Sequence, residues 1–148
     1  MSKKIKYNIV QRNKYFDDLG IKPHKYGVNF TTTDEKKKRL KKWKKERKLY
    51  GFDSRETWNL DTVFAEWLYT RCTMYLEEAD KIVNLEYHKV TYKDKEYTQK
   101  EAIEKIRKWA LYYVKNKYSV DSEKEKKAYE KLIKASELWA LIVPYMWW

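Results

Sequence analysis

The chain has 148 residues, 43% hydrophobic and 38% charged, which is enough apolar material for one packed domain and too little length for two comfortable ones. Its formal charge is +12, unevenly spread: residues 1–50 hold 17 Lys and Arg against 5 Asp and Glu, so 34 − 17 = 17 bases meet 22 − 5 = 17 acids in the remainder. A cationic attachment on a charge-balanced body favours a polyanion partner, the single Cys excludes an internal disulfide and fits a reducing compartment, and no run approaches the ~20 apolar residues of a membrane span.

The opening MSKKIKYNIV has too short an apolar run for a signal peptide. Alternation of Ile5, Tyr7 and Ile9 with polar neighbours predicts a short strand, and Asn13 to Leu19 predict one or two helical turns stopped by Gly20 and Pro23. With Tyr15, Phe16, Tyr26 and Phe30 also present, residues 1–33 read as an N-terminal arm partly docked on the body. A single helical domain is then expected over 34–148, beginning with a basic helix.

That helix is KKKRLKKWKKERK, Lys36 to Lys48, in which ten of thirteen residues are Lys or Arg. Thr33 or Asp34 can cap its start and Gly51 its end, which predicts a helix from about Asp34 to Tyr50. Leu40, Trp43, Arg47 and Tyr50 share a narrow face, and the remaining circumference is almost all positive. Too few apolar residues oppose the charge for the helix to lie in a membrane surface. The predicted anion or nucleic-acid site is Lys37, Lys38, Arg39, Lys41, Lys42, Trp43, Lys44, Lys45 and Lys48. Trp43 either stacks on an exposed base or anchors the helix, and its shared face with Leu40 favours anchoring.

Beyond Gly51 the sequence changes character. Phe52 and Asp53 to Glu56 form a polar turn, after which Leu60, Val63, Phe64, Trp67, Leu68, Met74, Tyr75 and Ile82 recur at helical spacing. They predict a central helix from about Trp58 to Val83, with Asn59 or Asp61 serving its first turn. Trp58, Leu60 and Asp61 belong to GFDSRETWNLDTVFAEWLY, Gly51 to Tyr69, a stretch that resembles one in small uncharacterised proteins of tailed phages and prophages, where a Trp-x-Leu-Asp element opens a long helix. The resemblance implies a phage-type accessory protein in the cytoplasm of an infected or lysogenic bacterial host, and it carries no catalytic residues. Arg55, Trp58 and Asp61 form a candidate recognition corner, beside the simpler reading of a capped helix start with a packed Trp.

Tyr87, Val90 and Tyr92, then Tyr97 after the polar turn KDKE, predict a short hairpin in which Asp94 takes the left-handed position. Thr98 with Glu101 is a capping box, and Ala102, Ile103, Ile106, Trp109, Ala110, Tyr113 and Val114 follow at helical spacing to about Lys117. A last helix, capped by Asp121 or Ser122, carries Ala128, Tyr129, Leu132, Ile133, Leu138, Trp139 and Ile142 to Pro144. Trp147 and Trp148 end the chain, either folded back onto the body or presented to a second copy. The expected fold is mostly α: a small bundle of about four helices with one short β-hairpin.

The chain offers little for catalysis. His24 and His88 lack the carboxylate spacing of helix metal motifs, the three glycines form no phosphate loop, and Cys72 sits inside an amphipathic helix where an inert buried thiol is expected. Glu66, Glu77, Glu78 and Asp80 read as solvated helix acids. No catalytic residues, metal site or cofactor are predicted. Non-enzymatic binding is the expected function: a basic surface engaging nucleic acid, or blocking a host nucleic-acid-handling or defence protein as an anti-defence inhibitor. The alternatives are a sequesterer of a small anionic nucleotide signal and a structural protein that self-assembles through its terminal Trp pair.

Overall fold

The computed structural model describes residues 37–147. The strand and helical turns predicted within residues 1–33, the caps Thr33 and Asp34, His24 and Trp148 lie outside the described residues, as does the boundary after residue 33. Among the described residues the fold is mostly α: α1 (Lys37–Tyr50), α2 (Leu60–Ala79), α3 (Gln99–Asn116) and α4 (Ser122–Ile142), with an antiparallel pair, β1 (Lys89–Tyr92) and β2 (Lys95–Thr98), between α2 and α3. This is the predicted small helical fold with a hairpin. The chain divides into two compact units, Met1–Val63 and Phe64–Trp148.

In the first unit, Trp43 of α1 is buried while Leu40 and Arg47 are half-buried, the i, i+3, i+7 set expected of one helix face. Gly51 stops the helix at a left-handed φ of 81°, donating its amide to the Arg47 carbonyl at 3.0 Å, the backbone shape for which glycine carries no side-chain penalty. A 3-10 turn, Ser54–Thr57, follows. The sequence reads a plain polar turn here, whereas Asp53 and Glu56 build a reciprocal capping box: the Asp53 side chain accepts from the Arg55 amide, and the Glu56 carboxylate accepts from the Asp53 amide.

α2 starts at Leu60 and ends at Ala79, shorter at both ends than the predicted Trp58–Val83. The amides of Ile82 and Val83 both close back on the Ala79 carbonyl, which tightens the last turn and directs the chain away. Its core face is carried by Ala65, Leu68, Tyr69, Cys72 and Ala79, all buried, while Leu60, Met74 and Ile82, expected inside, are exposed.

α3 and α4 pack along each other through Ala102, Ile103, Ile106 and Ala110 on one and Ala128, Ala135, Leu138 and Ile142 on the other, all fully buried. Each of the larger aliphatic side chains contributes about 1.5–3 kcal/mol by leaving water. Both helix starts follow the sequence: Thr98 and Glu101 form the predicted capping box, and Asp121 accepts from the amides of Glu123 and Lys124. Tyr129 and Ile133, read as core positions of α4, are exposed. Trp67 of α2 meets Trp139 of α4 edge to face at 5.5 Å, and the Arg107 guanidinium of α3 lies 5.8 Å from the Tyr69 ring of α2. These contacts join the second unit's three helices.

The hairpin turn is two residues, not four. Lys93 and Asp94 both take positive φ, 48° and 59°, while Lys95 and Glu96 pair in β2 opposite Tyr92 and Thr91. That geometry matches the right-handed twist of the two strands. Tyr92 fixes the hairpin to both long helices, its ring against Trp109 of α3 and its hydroxyl donating to the Glu137 carboxylate of α4.

Candidate nucleic-acid interface

α1 presents its charge outward. Lys37 opens the helix, and Lys38, Arg39, Lys41, Lys42, Lys44, Lys45 and Lys48 are all exposed. At 3.6 residues per turn they cover roughly the half of the circumference opposite Leu40, Trp43 and Arg47, over about 15 Å of axis. Lys42 reaches Glu46 at 3.6 Å, four residues on, an exposed pair that fixes little. Lys41, Lys44, Lys45 and Lys48 stand three and four residues apart, a spacing at which like charges repel by roughly 0.2–0.5 kcal/mol per pair.

What holds this self-repelling helix is the corner beneath it. Arg55 is fully buried and grips Asp53 with two parallel bonds, Nε to Oδ1 at 3.0 Å and Nη2 to Oδ2 at 2.9 Å. Arg47 reaches down from α1 to the same carboxylate at 3.2 Å and to Glu56 at 3.1 Å. Glu46 accepts from the Ser54 amide at 2.8 Å. Burial opposes ionisation of Asp53, but the Arg55 bonds and charge, with Arg47, outweigh it and hold its carboxyl below the usual range. The Arg55 guanidinium also lies 4.4 Å from the centroid of the Trp43 ring, which meets the edge of Trp58 at 6.0 Å.

The predicted site residues therefore separate. Lys38, Arg39, Lys41, Lys42, Lys44, Lys45 and Lys48 face solvent as a set, while Trp43 is an anchor and presents no face to a base. Arg55 is structural, a buried cation already committed to Asp53, so the recognition corner of Arg55, Trp58 and Asp61 is not a surface constellation: Trp58 is 52% exposed and Asp61 half-buried in the first turn of α2. Missed in the sequence were Asp53, Glu46 and Arg47 as the clamp; the Asp-x-x-Glu spacing at 53 and 56 was the available signal. Also missed were Tyr50 and Phe52, exposed at 64% and 51%, whose rings lie 6.2 Å apart across the Gly51 turn.

The second unit has its own concave feature, a groove of about 390 Å³ lined by Val83, Asn84, Tyr87, His88, Gln99, Tyr145 and Trp147. His88 stacks on Tyr145 at 4.8 Å, and the Gln99 amide donates to the Tyr145 carbonyl at 3.0 Å and the Tyr75 hydroxyl at 2.9 Å. These bonds tie residues 143–147 back onto the body, while the Trp147 side chain is left 67% exposed. Among the described residues no Lys or Arg lines the groove.

Reactive groups are few among the described residues. Cys72 is fully buried, and burial pushes its thiol up to about 12, against a smaller pull from Arg107, so no thiolate forms at neutral pH. Burial likewise pushes the Glu66 carboxyl up to about 7 despite the Lys117 charge. Glu78 pairs with Lys81 and Asp80 with Lys100 at the surface. No group of three or more His, Cys, Asp or Glu side chains among the described residues is placed to hold a metal, and none of the described helices is long and apolar enough to cross a membrane. Comparison with known proteins finds no matching family model, no matching curated protein and no matching solved structure.

Proposed function

We propose that this is a non-enzymatic accessory protein that attaches to the phosphate backbone of nucleic acid through α1. One observation carries the reading: seven exposed cations stand on a single helix whose inner face is locked by Trp43, Arg47 and the Arg55–Asp53 pair. Their mutual repulsion opposes folding, so their stabilising partner is sought outside the chain. Phosphates at regular spacing along a strand supply it, each contact releasing condensed counterions. A phage-type setting, implied by the resemblance of Gly51 to Tyr69, suits either direct attachment to nucleic acid or occupation of a host protein's nucleic-acid groove. A small anionic nucleotide is the weaker reading, because the aromatic groove of the second unit has no cation among the described residues of its lining.

Binding of labelled DNA across a salt series tests the proposal. If about four phosphates are engaged, log affinity falls against log salt with a slope of about −3.6 on duplex. Replacing Lys41, Lys44 and Lys45 by Gln flattens that slope and lowers affinity about tenfold or more at low salt. Affinity indifferent to salt, or a triple variant that binds like the parent, sinks it. Capture from lysate with and without nuclease then separates nucleic acid from a host protein as the target.

A further inference from the structure

Resting on that reading, we propose that the nucleic acid taken by α1 is single-stranded, with phosphates along the lysines and bases stacked on Tyr50 and Phe52. A cationic helix alone does not choose between strand states, since both present phosphate. The choice lies where the helix ends. Tyr50 is its last residue, and the left-handed turn at Gly51 brings Phe52 back beside it, so two rings stand at the C-terminal end of the helix that carries the charges. They are tilted by 41° at 6.2 Å, so they do not stack on each other, and both are more than half exposed.

Apolar rings in that position do nothing for the anchored face, which Trp43 already fills. The helical pattern puts the Tyr50 ring on that face; Gly51 ends the helix before it packs there. Exposed aromatic area beside a dense positive charge has a chemical complement in an unpaired base carrying its own phosphate: the ring offers a stacking platform and the lysines hold the strand. Duplex meets only half of this surface, because its base faces are covered by their neighbours and its phosphates alone remain to be bound.

The full chain is titrated with an oligothymidylate, a duplex of the same length, and an abasic single strand that keeps the phosphates and lacks the bases. The test variant is Y50A/F52A, with Y50L/F52L to retain apolar bulk; both residues are exposed, and circular dichroism checks that each variant folds. The oligothymidylate is expected to bind about tenfold more tightly than the duplex. Y50A/F52A and Y50L/F52L should each weaken it by about five- to hundredfold, the range for losing a base stack, while leaving the abasic strand within about twofold, since only phosphate contact remains there. Equal affinity for all three polymers with a steep salt slope, unchanged in the variants, overturns this inference and leaves phosphate attachment standing. Failure to bind any of them overturns both.

Discussion

The two units hold themselves together by opposite means. In the first, the deepest side chains among the described residues are an Arg and an Asp, and α1 is fixed by Arg47 and Trp43 on that pair. In the second, the fully buried positions are Ala, Leu, Ile, Cys and Tyr, with Gln99 and Lys117 buried at the margin of that core. The contrast extends to ionisation: the buried Asp53 carboxyl is held below its ordinary range because two guanidinium groups answer its charge, whereas Glu66, with Lys117 as a weaker answer, is pushed up to about 7. A charge-clamped corner can carry a helix that apolar packing alone would hold poorly, because α1 buries only Trp43 and part of Leu40 and leaves Leu49 and Tyr50 exposed. The second unit carries its charges in nearly balanced sign around an apolar core, so the basic helix stands out as the part of the chain built at some cost to stability.

The sharpest way to break this comparison is to remove one support from each unit. Arg55→Ala leaves Asp53 buried with Arg47 still on it, and stability of the first unit should fall by about 3 kcal/mol. Leu138→Ala leaves a cavity between α3 and α4 and should lower the second unit by a similar amount, roughly 3 kcal/mol. Hydrogen exchange reads the two separately: amides of residues 43–58 should lose protection in the first variant, and those of α3 and α4 in the second. Arg55→Lys keeps the charge without the two-pronged fork and should recover less than half of the loss, because an ammonium cannot make both parallel bonds. Full recovery by Lys would mean that charge alone, without the geometry, holds the corner.

How far the sequence revealed these differences depends on what each feature needs. The α3 start was legible because Thr98 and Glu101 form a local motif that uses four consecutive residues, and the lysines of α1 were legible as surface because so many cations on one helix cannot be buried. The clamp was not: Arg55 becomes a core residue only where Gly51 turns the chain so that Asp53, Arg47 and Trp43 converge, a meeting of positions that no periodicity encodes. Hydrophobicity also misplaced the α2 core, ranking Leu60, Met74 and Ile82 above Ala65 and Ala79, which are the fully buried ones. The hairpin was visible in its aromatic alternation, but its two-residue turn places Lys93 at positive φ without the Gly or Asn that usually signals one.

A smaller effect sharpens the ionisation contrast. Below the ordinary carboxyl value of 4.5, Glu66 is protonated folded and unfolded, and its burial carries no pH-dependent cost. As pH rises from there to about 7, the unfolded chain releases the proton first, so stability declines, and above about 7 the loss is complete. Glu66→Gln removes that decline. It should match the parent near pH 4 and exceed it on the order of 2 kcal/mol at pH 8, read from urea unfolding at each pH. Asp53 runs the other way, its contribution intact above its ordinary range and lost as pH falls through its lowered value. A Glu66→Gln variant whose stability still declined over the same interval would place the titrating group elsewhere.

The smallest expected effect bears most directly on why α1 is so basic. If the lysines stand together for a partner and not for the fold, screening them should stabilise the helix in the absence of any ligand. Several cation pairs at three and four residues apart, each at roughly 0.2–0.5 kcal/mol, sum to on the order of 1 kcal/mol of repulsion. Raising salt shortens the Debye length from about 10 Å at 0.1 M to about 3 Å at 1 M. Hydrogen exchange from α1 should therefore slow by a few-fold over that range, while the buried Arg55–Asp53 pair, shielded from ions, changes little. Lys41→Gln with Lys45→Gln should give the same slowing at low salt and make it insensitive to further addition. Exchange that instead quickened with salt would mean that the surface charges hold the helix and await no phosphate.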